Sequence, residues 1–356
     1  MNMPRATRTW VMIGSAAAIA VLGAPPIFTA LARPKQPPIV EAPPPPPPPP
    51  GPVALPSRSL ADAAAFQAWL ERQDALSPAF VDGPSVARAL KDVSAQSSPA
   101  LVRDAVAYGA VAALQDQAWV AEIRKAADTP DNRRLMVGYL IADARYALIF
   151  KGADGAAGLA QQAIGAPALK LFDQGKAVRQ ASYDIQHQEW SKAEVADRPG
   201  RLAMVEQQGK GQLPDAADHV AALQAASTGG APLPLKADPV AAPYPPLVAE
   251  SLQLAAVAAL GEASDDMYDR LAGLAGDERG AEQCLHEAKL NLYQCLAVAK
   301  PHYEDVYCMG QHAMSDAAAC LVTAVGLPLP LPPVVPAPPA PAAPAKKAVT
   351  HKRRKT

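Results

Sequence analysis

Apolar residues recur through the middle of this 356-residue chain at three- and four-residue intervals, the repeat of a helix with one buried face. The two-residue alternation of a half-buried strand is almost absent, and no turn signal sits between β-branched runs. Ser59 followed by Asp62 resembles a capping box and predicts a helix start, with Leu60, Ala63, Gln67 and Leu70 spaced for one face. A longer stripe runs through Leu101, Ala105, Tyr108, Ala112, Gln115, Trp119, Ile123 and Ala126. A third passes through Leu135, Tyr139, Ala142, Tyr146 and Ile149 and ends at Gly152 and the Asp154-Gly155 turn. Pro167 predicts the start of a fourth helix, since proline is tolerated in a first turn, and Pro199-Gly200 predicts the end of the polar segment that follows. From Ala225 to Leu247 two glycines and six prolines interrupt the pattern. Leu247 to Leu260 then reads as an apolar helix, Ser264 as a cap, and Asp277 to Val325 as a helical hairpin.

The hairpin rests on four cysteines, Cys284, Cys295, Cys308 and Cys320, arranged as two pairs nested around Pro301. A bond between Cys284 and Cys295 along one helix would have to span about 16 Å, against a limit of about 7 Å between Cα atoms. In an antiparallel hairpin turning near Pro301, residues equidistant from the turn face each other, which predicts Cys284–Cys320 and Cys295–Cys308. Eleven residues bring the first arm's thiols within about 20° of one face. Twelve residues leave Cys308 and Cys320 about 120° apart unless the second helix is interrupted, for which Gly310 is the candidate.

From Gln283 to Leu321 this arrangement resembles the twin-cysteine helical hairpins of the CHCH type, in which two helices each carry a pair of cysteines about three turns apart. The present arms hold ten and eleven residues between their cysteines, longer than the family's spacing, and no function is carried over. Zinc sites pair close cysteines such as C-x2-C, which this chain lacks, so the thiols are read as disulfides of an oxidising compartment.

The N-terminus agrees with export. Arg5 and Arg8 precede an apolar run from Trp10 to Leu22, and Ala30-Leu31-Ala32 offers the small residues of a cleavage site. Residues 1–32 read either as a signal peptide cut after Ala32 or as an uncleaved membrane anchor. The expected organisation continues with a proline-rich linker over 33–56, a helical domain over 57–224, a Pro/Gly-rich linker over 225–247, a helical region carrying the four-cysteine hairpin over 248–326, and a Pro/Ala-rich basic tail over 327–356. Pro43 to Pro50 is an unbroken proline run, and the surrounding stretch could extend on the order of 70 Å as polyproline helix. The fold class is thus all-α: a helical bundle followed by a disulfide-stapled antiparallel hairpin, with disordered proline-rich arms at both ends.

Half of the residues are hydrophobic but only 5% are aromatic, and alanine dominates. Each helix therefore buries little apolar area, and cross-links make up part of the deficit. The net charge of −1 conceals an asymmetry. Lys346, Lys347, Lys352, Arg353, Arg354 and Lys355 place six positive charges in the tail with no acid; removing them and the net +3 of residues 1–41 leaves −10 for residues 42–345. A basic tail on an acidic body suits an anionic polymer or surface. In the envelope that means peptidoglycan, acidic lipid or another envelope protein, and nucleic acid is not expected as the partner of an exported chain.

No short catalytic or phosphate-binding signature occurs, and neither cofactor nor metal is expected. Glu282 and His286 share a helical face, Asp215, Asp218 and His219 form an acidic group at a helix start, and His302, Tyr303, Glu304, Asp305 and Tyr307 gather at the hairpin tip as a candidate contact surface. The expectation is a non-enzymatic periplasmic or cell-envelope scaffold or binding protein. The alternative is a periplasmic cell-wall hydrolase or lytic enzyme with a glutamate-based site, for which Glu122, Glu189 and Glu206 are the candidates.

Overall fold

The structure, a computed structural model, describes residues 52–213, 217–274 and 280–330. The N-terminal segment, most of the first linker, Asp215 and the basic tail from residue 331 onward lie outside the described residues.

Among the described residues fourteen α-helices follow one another. The first part of the chain forms α1 (Ser57–Asp74), α2 (Gly83–Val93), α3 (Ser98–Ala113), α4 (Gln117–Ala126), α5 (Pro130–Ala142), a 3-10 turn at Ala144–Ile149, α6 (Ala153–Ile185), α7 (Glu189–Lys192), α8 (Arg198–Gln208) and α9 (Ala217–Ser227). After the proline-rich break come α10 (Pro246–Ala259), α11 (Asp265–Leu274), α12 (Gly280–Val298), α13 (His302–Cys308), a π-helical stretch at Met309–Asp316 and α14 (Ala317–Ala324). Among the described residues the only extended pairing is a single bridge between Glu194 and Pro301.

Small side chains decide how these helices meet. Every residue of α10 from Leu247 to Ala259 is buried, because α10 lies among α3, α6 and the 3-10 turn. A Cβ on Gly109 of α3 would overlap the Ser251 hydroxyl of α10 and come 3.0 Å from Cδ1 of Ile164 of α6, so the three helices converge there. On its other side α3 receives α1, whose Phe66 ring lies 5.5 Å from that of Tyr108 and stacks on Trp69. The two helical stretches separated by the break therefore share one core.

Several local expectations change in this context. The stripe from Leu101 to Ala126 is two helices, because the Asp116 side chain accepts from the Trp119 amide at 3.0 Å and caps a new start. In α5 the buried face carries Met136 and Leu140, while Leu135 and Tyr139, and Ile149 in the turn that follows, are exposed. α1 starts at Ser57 after Pro56, and Asp62 is buried against Arg103 instead of helping to cap the helix. Pro167 does not start a helix. α6 begins after Gly152, at φ +89°, and runs 33 residues straight through that proline. An interior proline costs about 3 kcal/mol, which the burial of Ala163, Ile164, Gly165, Ala168 and Leu171 around it offsets. Pro199 opens α8 instead of ending a helix, with Asp197 capping the Gly200 amide at 2.9 Å.

The second half of α6 carries the hairpin. α12 descends to Val298, the chain turns over residues 299–301, and α13, the π stretch and α14 return as one continuous helical arm packed on α6. Cys284 is bonded to Cys320 and Cys295 to Cys308, with Cα separations of 5.6 and 5.7 Å. The π stretch resolves the phase problem of the second arm. Its i→i+5 bonding absorbs one residue, so the twelve-residue interval from Cys308 to Cys320 turns through about the same angle as eleven residues of α-helix. Both arms then present their thiols within about 20° of one face. Gly310, within the widened stretch, lies backbone to backbone with α6: a Cβ there would come 2.5 Å from the Arg179 amide nitrogen and 2.8 Å from the Gly175 carbonyl oxygen.

If the π turn sets the register, deleting Ala313 should convert the stretch to regular α-helix and leave Cys320 in place, so both disulfides persist in non-reducing peptide maps. Inserting one alanine at the same point should instead abolish the Cys284–Cys320 bond. Loss of that bond in the deletion variant would show that something other than the extra residue aligns the cysteines.

Candidate functional site

Among the described residues, three groups of interior polar side chains each lie at a junction between distant parts of the chain. The first holds the hairpin tip. Helix α12 ends with carbonyls that have no partner within the helix, and α8 supplies arginines to them. Arg198 Nε donates to the Ala299 carbonyl and Nη2 to the Ala297 carbonyl, both at 2.9 Å, while Arg201 Nη2 donates to Leu296. Arg201 Nη1 also pairs with Asp305 of α13, and both side chains are buried. Burial pushes the Asp305 carboxyl up, to about 6, against the opposing pull of Arg201.

The remaining tip residues are engaged in the same junction. The His302 ring packs on Trp190 and against the Gly83 backbone at the start of α2, and burial followed by the Arg201 charge lowers its pKa. The Lys300 amide donates to Glu304 at 2.8 Å, Tyr307 packs edge-on against Tyr183, and Tyr303 is half-buried against the core. The His302–Tyr307 segment is therefore the internal seam between the hairpin and α6–α8, and none of the five candidate contact residues is fully exposed.

The second group centres on Asp62. Its carboxylate accepts from Arg103 Nε at 2.7 Å, the Tyr268 hydroxyl at 2.7 Å and Gln212 Nε2 at 2.9 Å, joining α1, α3, α11 and the segment after α8. Burial and the Asp62 charge hold the Tyr268 hydroxyl well above its ordinary pKa.

The third group surrounds Gln96, a non-glycine residue at φ +118°. Its side-chain amide donates to Asp104 and its side-chain oxygen accepts from the Leu213 amide at 2.7 Å. Its backbone carbonyl accepts from Lys289 Nζ, which also donates to the Gly209 carbonyl at 3.0 Å. Asp104 is fully buried, and burial, with Asp62 adding to it, pushes its carboxyl up to about 8. Burial lowers Lys289 to about 8. Beside this group lies a cavity of about 40 Å3 between the start of α3 and the hairpin. Two larger clefts open elsewhere, one of about 340 Å3 walled by Glu250 and the Cys284–Cys320 bond, the other of about 360 Å3 walled by Tyr108 and Pro167.

The other sequence candidates are dispersed. Glu122 sits 3.9 Å from Lys125 and Glu189 3.1 Å from Lys192, both as neighbours on an exposed helix face. Glu206 acts electrostatically on Tyr293. His219 pairs with Glu71 at 3.2 Å, Asp218 lies exposed in the first turn of α9, and His286 is exposed. Among the described residues no three His, Cys, Asp or Glu side chains gather as metal ligands, and no helix is long and apolar enough to cross a membrane. Asp104 left a signal in the sequence, an acid inside the apolar run Leu101–Ala113. Arg201 and Lys289 lie in ordinary polar stretches, and only the tertiary fold brings them indoors. No family model, curated protein or solved structure matches the chain.

Replacing Arg201 with methionine should destabilise the protein by about 3–5 kcal/mol in urea titrations, because Asp305 is left buried without its partner. The double variant R201M/D305L should recover part of that loss, since both charges leave together. Equal losses in the single and double variants would locate the effect in the capped carbonyls alone.

Asp104 gives a pH dependence of defined sign. Its folded pKa is raised, so between about 4 and about 8 the folded state holds a proton that the unfolded chain releases, and this group's contribution to stability declines as pH rises through that window. Asp104→Asn should remove that part of the slope and stabilise the protein by about 1–3 kcal/mol near pH 7.5. Parallel pH profiles of the urea midpoint for the two proteins would rule the assignment out.

Proposed function

We propose that this protein is a non-enzymatic helical scaffold or binding protein of the cell envelope, working outside the reducing cytoplasm, with the basic tail as its attachment to an anionic polymer or surface. The observation that carries this reading is the pair of nested disulfides, which use all four cysteines of the chain. Such bonds persist where the surroundings are oxidising, and the N-terminal apolar segment supplies a route of export. The use of buried charge supports a scaffold. Arg201, Asp305 and Asp62, the last with the half-buried Arg103, each tie together elements far apart in sequence, which is the work of holding a shape.

The six cations of residues 346–356, set against the acidic body, supply the binding end. Peptidoglycan carboxylates and acidic lipid head groups are ligands of the right charge, and attraction between exposed charges is screened over about 8 Å at physiological ionic strength. A second reading, a cell-wall hydrolase with a glutamate-based site, draws support from Glu250, a buried acid on the wall of the 340 Å3 cleft.

The scaffold reading expects the full-length protein to sediment with purified peptidoglycan or anionic vesicles at low salt. Deleting residues 346–356 should weaken that retention without altering the thermal transition, and added salt should erase the difference. Retention that survives both the deletion and high salt would remove the tail from the account. Lysis of purified cell walls that disappears in Glu250→Gln would replace the scaffold by the enzyme.

A further inference from the structure

The cavity of about 40 Å3 between α3 and the hairpin combines three features that favour negative charge. The first is the start of α3, a 16-residue helix whose Ser97 side chain makes no cap bond and whose first turn contains Pro99. Its leading amides carry the positive end of the helix dipole and no side chain caps them. The second is Ser98, which lines the cavity, is only 4% exposed, and has a hydroxyl with no hydrogen-bond partner. The third is Lys289, which lines the same cavity. Two of the three directions of its terminal nitrogen are taken by the Gln96 and Gly209 carbonyls, which are neutral acceptors.

No carboxylate lines the cavity. Asp104, one step away through Gln96, is held largely protonated at neutral pH by burial. Asp316 lies behind His312, bonded to its Nδ1 at 2.7 Å and to the Gln311 amide at 2.7 Å. Glu206 acts on Tyr293, another wall residue, through the field alone. A buried ammonium without a counter-charge is costly, and either loses its proton or acquires an anion. Burial lowers the Lys289 pKa, to about 8.

We propose that this cavity binds a small monocarboxylate of the size of formate or acetate, held by the Lys289 ammonium, the Ser98 hydroxyl and the first-turn amides of α3. Size sets the class. A single water needs a cavity of about 10–15 Å3, so about 40 Å3 accommodates a group of about three to four heavy atoms. The remaining wall is apolar, with Trp69, Leu101, Leu285 and Leu292, which suits a methyl group better than a second charge. The site lies between α3 and α12, so its occupant would tie the hairpin to the first bundle, which neither disulfide does.

The test is thermal unfolding of the full chain with its disulfides intact, in sodium acetate and in sodium formate against sodium chloride at the same pH and ionic strength. A ligand that binds only the folded state raises Tm logarithmically once it exceeds its dissociation constant, by about 2–4 °C at tenfold excess for a chain of this size. Wild type should show that rise in acetate or formate. Lys289→Met should lose it, and so should Ala313→Leu, which fills the cavity and keeps the lysine. Either variant that unfolds cooperatively with both disulfides formed is sufficient. Equal Tm values for wild type in carboxylate and chloride, or the same carboxylate response in wild type and in such a variant, would overturn the proposal and leave the cavity to ordered water.

Discussion

Backbone-to-backbone contact along α6 is the constraint on which the rest of this structure depends. A core poor in aromatic side chains and rich in alanine has few large interlocking groups along many of its seams, so there the helices must approach closely. On α6 they do so where Gly175 faces Gly310 and Ser315, and a second close contact of small residues joins α3 to α10, with Gly109 against the Ser251 side chain beside Ile164 of α6. Close approach gains dispersion contacts but tolerates little error at Gly175 and Gly310, where backbone atoms that cannot swing aside are in contact. The widened π turn lies at one of these crossings, and there it also aligns the cysteines of the second arm.

The polar interior complements this packing. Alanine seams are smooth, and a helix with small residues along its face can slide along its neighbour with modest loss. Buried ion pairs cannot be shifted in that way. Arg201 reaches both the end of α12 and the start of α13, and Asp62 gathers groups from three other parts of the chain, so each fixes one register among several that the apolar surfaces would allow. The disulfides add loop closure of two sizes, 13 and 36 residues apart, with the smaller inside the larger, so their effects on the unfolded chain overlap.

The all-helical class, the proline-rich break and the hairpin were legible in the sequence because each has a local cause: periodicity, missing amide donors, and symmetric cysteines about Pro301. What escaped the sequence depends on neighbours. Leu135 and Tyr139 have helical spacing yet face solvent, since α10 and the 3-10 turn cover the side of α5 that carries Met136 and Leu140. Pro167 has the local chemistry of a helix start, but burial on both sides of it extends α6 instead. The tip residues read as a candidate contact surface, and nothing in residues 302–307 announces that α7 and α8, about a hundred positions earlier, pack against them. Lys289 is likewise unremarkable by sequence, and becomes significant only beside the start of α3.

The disulfides have a limited reach. Both join one arm of the hairpin to the other, Cys284 to Cys320 and Cys295 to Cys308, and neither crosses to the first bundle. The surface that receives the hairpin is made by other parts of the chain, with α6 along its second arm and the arginines of α8 at its tip. Sulfur therefore fixes the shape of the hairpin, while its attachment to the rest of the molecule rests on packing and buried charge alone.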